Sequence, residues 1–285
     1  MKKIKEIFIL ICAGFVLSGC SSAPKRSMIV SNIYDSSISM LESANASILL
    51  GDYSKADLLL KDAYNSAMSI DNYDLLTSVL LARVSLDLSY NPPKVDLATE
   101  SLEKAQVFAK YSDYSEKQTA LCILAEVRIA TTAASTGTQE QNYNSLLSKL
   151  EENKPAVKGD PYNEAHFDSA AGDIYKLQNK YTEAEEAFLA ATKSFTDNLY
   201  LSEIGINWYK VAQVRSLNNN KQGALEAIES AIYYDRLAEN SIALATDYFA
   251  KGSILQKGNP SASEKEAADF AFQHSKDIYA SVGIE

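Results

Sequence analysis

Ala171-Gly172-Asp173-Ile174-Tyr175-Lys176-Leu177-Gln178-Asn179-Lys180-Tyr181-Thr182-Glu183-Ala184, running on through Phe188 to Ala191, decides the architecture. Its apolar residues recur at spacings of three and four: Ala184, Ala187, Phe188 and Ala191 fall on one helical face, and Gly172 and Tyr175 mark a preceding helix. Small side chains stand where two helices approach closely, and the larger Tyr175 and Phe188 fill the hollow that Gly172 and Ala184 leave. The stretch therefore reads as a helical hairpin with a turn just before Tyr181.

Working outward, the same spacing returns along the chain. Downstream stand Trp208, Ala212, Ala224, Ile228 and Ala231; upstream stand Gly51, Tyr53, Ala56, Leu60 and Ala63, and then Ala98, Leu102 and Ala105. Turn signals separate these units, among them Gly51-Asp52, Asp71-Asn72, Asn91-Pro92-Pro93, Thr136-Gly137, Gly159-Asp160-Pro161, Asn218-Asn219-Asn220 and Gly258-Asn259-Pro260. Pro93 and Pro161 suit first helical turns, where a missing N–H costs nothing. Strand signals are almost absent.

The ladder of Gly172, Tyr175, Tyr181, Ala184, Phe188 and Ala191 resembles the tetratricopeptide repeat (TPR), with Arg215 standing in the next unit where tyrosine is usual. The resemblance implies an all-α, TPR-like solenoid of about six helical hairpins. Taking the alanine that opens each second helix as a ruler gives Ala56, Ala98, Ala184, Ala224 and Ala268, spaced by 42, 86, 40 and 44, the longest gap holding one divergent unit. The family period is about 34, so helices or loops here are longer and a regular superhelix is not expected.

At the N-terminus, Lys2, Lys3 and Lys5 precede an apolar run from Ile7 to Leu17, about 16 Å long as a helix. That is too short to span a hydrocarbon core of about 30 Å and suits the apolar region of a secretory signal. Leu17-Ser18-Gly19-Cys20 closes the run and resembles the lipobox of bacterial lipoproteins. The resemblance implies cleavage before Cys20 and acylation of its sulfur, with more than one acyl chain needed for stable anchoring. Residues 1–19 are thus read as signal peptide, 20–31 as tether and 32–285 as the TPR-like domain. Ser21, where the enterobacterial sorting rule places aspartate for inner-membrane retention, points to the outer membrane, facing the periplasm. Cys12 leaves with the signal and Cys20 carries lipid, so Cys122, in an apolar stretch, reads as a lone packing thiol.

Of 285 residues, 37 are acidic and 27 basic, a net charge of −10. Such a balance opposes nucleic-acid binding, which needs Lys and Arg to displace counterions. With two histidines, His166 and His274, a histidine-rich metal centre is excluded, and no glycine-rich phosphate loop occurs. Carboxylates such as Glu183, Glu185 and Glu186 sit at helix starts, where they favour the helix dipole, and no sequence feature marks a carboxyl with a raised pKa. No catalysis, metal or cofactor is expected.

In stacked hairpins the first helix of each pair lines the inner side, and a ligand meets its unpacked residues. The family's groove positions carry over to Asn45, His166, Asp173, Lys176, Tyr209 and Gln213, and by weaker alignment to Arg83 and Glu126. The Lys-and-Asn clamp that grips a peptide's terminal carboxylate in some TPR proteins is absent at these places. The function so implied is that of a lipid-anchored, noncatalytic scaffold or adaptor for another cell-envelope protein. A second reading is a partner of a periplasmic solute-binding protein in ligand transport, in which Leu75, Leu76, Leu80 and Leu81 would line a ligand pore.

Overall fold

A computed structural model describes residues 32–137 and 142–284. Among the described residues it contains twelve α-helices, one short 3-10 turn and no strand. They are α1 (Asn32–Leu49), α2 (Tyr53–Ser69), α3 (Tyr73–Ser89), α4 (Val95–Ala109), α5 (Ser115–Ser135), α6 (Tyr143–Asn153) with the 3-10 turn Lys154–Val157, α7 (Pro161–Leu177), α8 (Tyr181–Asp197), α9 (Leu201–Leu217), α10 (Lys221–Leu237), α11 (Ser241–Gln256) and α12 (Ala262–Ser281). Each odd-numbered helix packs on the helix that follows it, giving six hairpins in chain order, and among the first helices α3 packs against α5, α5 against α7, and α9 against α11. The all-α, TPR-like solenoid of six hairpins is therefore the fold.

The local code that sets the hairpins is more regular than the alanine spacings suggest. The helices α7 to α10 are each 17 residues long. The joints on either side of them hold one residue with positive φ apiece: Gly159, Asn179, Leu199, Asn219 and Glu239, spaced by twenty. The N–H one residue past each of the last four returns to a carbonyl five residues back, as in Asn220 N–H to Arg215 O at 2.8 Å and Tyr200 N–H to Phe195 O at 3.0 Å. This left-handed closure satisfies carbonyls that the helix end leaves open. Asp52, Asn72, Asp160, Asn220 and Asn240 then cap the next helix with a side-chain oxygen. Departures from this rhythm lie between α3 and α4, in the 21-residue α5, in the short α6 and before α12. Pro161 opens α7 as expected, whereas Pro93 lies in the turn ahead of α4, which begins at Val95.

The core runs along the seams between helices. Ala56, Ala98, Ala184, Ala224 and Ala268 are all fully buried. A methyl group at Gly172 would lie 2.6 Å from the ring of buried Phe188, so the glycine is what lets the phenyl group reach the first helix. Arg215, in the place of the usual tyrosine, ties its Nε to Glu185 Oε1 at 2.8 Å and an Nη1 to Gly223 O at 3.2 Å. Glu185 is thus a cross-helix partner and only a quarter exposed, not one more solvated carboxylate. Leu75, Leu76 and Leu80 are buried in the core and line no pore. Cys122 is 1% exposed, and burial pushes its thiol up to about 12. Among the described residues no helix is long and apolar enough to cross a membrane; Cys20, the residue expected to be acylated, lies outside them.

Candidate binding face

The first helices present a polar face, and four of the residues expected there meet on it. Asp173 and Lys176 project from α7, and Tyr209 and Gln213 from α9. Lys176 Nζ donates to Gln213 Oε1 at 3.1 Å, and Gln213 Nε2 donates to the Tyr209 hydroxyl at 2.8 Å. Asp173 receives Lys176 at 3.6 Å and Lys210 at 2.5 Å, and Lys210 also donates to Ser169 Oγ at 3.0 Å. The charged side chains of Asp173, Lys176 and Lys210 are about one-fifth exposed. Burial pushes the Lys176 ammonium below its ordinary range, and Asp173 opposes that shift. Burial also raises the Tyr209 phenol.

His166 does not face this array as a free ligand group. Its ring stands edge-on to Tyr162 at 4.5 Å and Phe195 at 5.0 Å, with Tyr200 completing the cluster against Tyr162 at 4.9 Å. Burial, with the cations Arg128 and Lys210 near by, pushes His166 down to about 3, so the imidazole is neutral near pH 7. The Tyr162 hydroxyl donates to Glu203 Oε1 at 2.9 Å, joining α7 to α9 a second time. Asp168 turns instead to Lys154.

The other expected residues are dispersed. Arg83 is drawn to Asp57 and, at 3.6 Å, to Asp87. Glu126 pairs with Lys149 of α6. Asn45 is exposed on α1, apart from the α7 to α9 array. Lys210 and Ser169 were missed although they share helices with the expected residues, and the forty-residue repeat links them: Lys210 lies 37 residues from Asp173 and 41 from Ser169.

Sequence reading also passed over a buried acid pair. Asp235 at the end of α10 and Asp247 in α11 are 0% and 1% exposed. A side-chain methyl at Gly205 would lie 2.5 Å from the Asp235 carboxyl, so that carboxyl rests on the backbone of α9. Both Asp235 oxygens and Asp247 Oδ2 find no ordinary donor. As carboxylates neither side chain can donate, whereas a proton held on one of them allows one hydrogen bond between the two. Burial is the main cause that raises both groups well above the usual carboxylate range, and each acts on the other as well. The pair is sealed from solvent and offers no reaction surface. Two open clefts, of about 460 and 530 Å³, lie at Ser115–Ala156 and Pro92–Thr136 and contain none of the expected residues. Among the described residues no group of three His, Cys, Asp or Glu side chains could hold a metal ion.

With that geometry in view, comparison with known proteins places the chain by shape alone. No protein-family model matches it, and no curated protein matches it. Solved structures do. BtubC (BKLC) from P. vanneervenii superposes with a TM-score of 0.53 at 13% identity, over 86% of this chain and 93% of that one. Aspartyl phosphate phosphatase F from Bacillus subtilis gives a TM-score of 0.56 at 15% identity, over 87% of this chain and 62% of the phosphatase. Both are helical-repeat proteins of the TPR-like kind, and at such identities the likeness is one of fold.

Proposed function

We propose that this chain is a lipid-anchored protein of the bacterial envelope whose first-helix face docks another envelope protein and that it performs no catalysis. The observation that carries the docking reading is the partly exposed array of Asp173, Lys176, Lys210, Gln213 and Tyr209. It spans two hairpins and is held in one geometry by its own hydrogen bonds, so little side-chain entropy remains to be lost on binding. The acylation reading rests on Leu17-Ser18-Gly19-Cys20 behind a short apolar run, and the outer-membrane, periplasm-facing placement rests on Ser21. The noncatalytic reading is supported by the sealing of the acid pair with the strongest shifts.

The test is recovery of partners from detergent-solubilised envelopes with the lipidated protein as bait. A defined envelope protein is expected in the eluate, lost when Tyr209 and Lys176 are both changed to alanine. Recovery indifferent to that double change would reject the docking face. If the recovered protein is a solute-binding protein, the transport reading replaces the scaffold.

A further inference from the structure

Seven cations stand on the first helices: Arg83, Lys117, Arg128, Lys176, Lys210, Arg215 and Lys251. Six are paired with a carboxylate: Arg83 with Asp57, Lys117 with Asp160, Lys176 and Lys210 with Asp173, Arg215 with Glu185, and Lys251 with Glu229. Arg128, in α5, is the exception. Its guanidinium is exposed, and its one hydrogen bond goes from Nη1 to Ser85 Oγ of α3 at 3.0 Å, a neutral acceptor. A guanidinium carries five donors in a planar fork suited to a carboxylate, so most of its capacity faces outward.

The surroundings make this more than one loose surface arginine. Arg128 and Lys210 both lower the His166 imidazole while Asp160 opposes them, and Asp173 acts on Arg128, so charged side chains of α5, α7 and α9 lie within electrostatic reach of one another. The side chains packed around it lower the guanidinium below its ordinary range even though the residue keeps its access to solvent, the cost of holding a cation there without a counter-ion. The carboxylate near by, Asp173, is already engaged by Lys176 and Lys210. Although the chain as a whole is acidic, Arg128 is thus the cation of this face that lacks a carboxylate partner among the described residues.

We propose that Arg128 is the anchor for an aspartate or glutamate side chain on an extended segment of the docked partner, an inference that rests on the docking face described above. Charge decides the occupant. The chain's own segment between Cys20 and α1 carries Lys25 and Arg26 and no acid, so it is repelled rather than drawn in. Phosphate polymers are disfavoured by the acidity of the rest of the molecule. An acidic peptide segment supplies the missing carboxylate, and its backbone can run on to the Lys176, Gln213 and Tyr209 array.

The experiment is a selection of displayed random heptapeptides on the full-length chain in detergent, run in parallel on Arg128→Gln, Arg128→Lys and the Tyr209/Lys176 double variant. The one hydrogen bond of Arg128 among the described residues goes to Ser85, so the variants are expected to melt as wild type by circular dichroism, and Arg128→Lys, which keeps the charge, serves if Arg128→Gln does not. Wild type is expected to enrich Asp or Glu at one fixed position, and Arg128→Gln to lose that preference. The best acidic peptide, labelled for anisotropy, is expected to bind Arg128→Gln roughly tenfold or more weakly. Its Glu→Gln counterpart should lose as much against wild type, with no further loss when both changes are combined, and added salt should weaken the acidic peptide alone.

Enriched peptides with no acidic position, or acidic peptides held equally by Arg128→Gln, would overturn the anchor. If their binding still needed Tyr209 and Lys176, the docking face itself would stand. Absence of any enrichment would overturn both. Self-association in the ultracentrifuge that Arg128→Gln abolishes would seat a second copy of the chain there, and would overturn the assignment to a separate partner.

Discussion

Glycine and alanine carry the packing argument one side chain at a time. Gly172 faces a fully buried phenyl ring with no room for a methyl group. Gly172→Ala is therefore expected to cost ~1–3 kcal/mol, the usual range for overpacking, and Ala184→Arg at least as much. Thermal melts followed by circular dichroism check both, and an unchanged Ala184→Arg melt would reject the alignment of the repeats. Leu199 makes the opposite case. It is 77% exposed and holds φ 59°, a left-handed backbone that costs a branched residue roughly 1–2 kcal/mol. Leu199→Gly relieves that strain and adds some unfolded-state entropy, so a net gain of roughly 0.5–1 kcal/mol is expected, seen as a melt about 1–4 °C higher. A lower melt would mean that the exposed leucine side chain contributes contacts that outweigh the strain.

Single residues on the polar face were legible to different degrees. Asp173, Lys176, Tyr209 and Gln213 could be placed because they sit at fixed offsets from Gly172 or Trp208 on helices whose inward face the ladder defines. Arg128 could not, since its helix belongs to the divergent unit and lacks that ladder. Its role depends on which carboxylates other helices spend on other cations, a fact absent from any local pattern.

Between elements, the joint of α10 with α11 differs from its neighbours. The corresponding joint of α8 with α9 is filled by Phe195, Ile204 and Ala191, whereas here Asp235 and Asp247 lie face to face. The groups around them are Glu203 and Tyr209 from α9 and Asn240 from the turn, whose amide opposes the rise at Asp235. Burial, the Asp235 charge and the bond between the two raise Asp247 to about 9, and the two carboxyls titrate as a unit. The folded state thus keeps a proton that the unfolded chain gives up near pH 4, so the stability it supports is present at low pH and drains away as pH rises toward 9. His166 acts with the opposite sign. Its folded value is about 3 against 6.5 unfolded, so it lowers stability only as pH falls below 6.5.

Of these groups, the acid pair alone works above pH 6.5. The melting temperature is accordingly expected to fall between pH 6.5 and 9, and Asp247→Asn, a neutral isostere that can donate to Asp235, is expected to flatten that decline. Melts across the pH series decide it: a wild-type profile as flat as the variant's would show that the pair holds no shared proton. Periodicity could not have announced this joint, because an aspartate at one helix end and another a few residues into the next helix read as two ordinary surface acids.

For the molecule as a whole, the proposed envelope location rests on residues ahead of the helical array. Cys20→Ser is expected to abolish incorporation of labelled palmitate and to move the protein from the detergent phase to the aqueous phase on Triton X-114 partition. Undiminished labelling would exclude Cys20 as the acylated residue. The same variant is expected to keep the docking face, since among the described residues the hydrogen bonds of that array join α7 to α9.

The chain's linear pattern was enough to establish helices, hairpins, their number and the alanine-lined seams, because each depends on side chains three, four or about twenty residues apart. The regular twenty-residue rhythm of turns emerged only with the backbone, since left-handed residues as unlike as Asn179, Leu199 and Glu239 share a conformation and not a chemistry. Which polar groups meet was decided by tertiary structure alone. Lys210 finds Asp173 and Arg128 finds Ser85 across 37 and 43 residues. The offset between neighbouring first helices sets those pairings, and it accumulates from turn lengths and helix ends that no single stretch of sequence encodes.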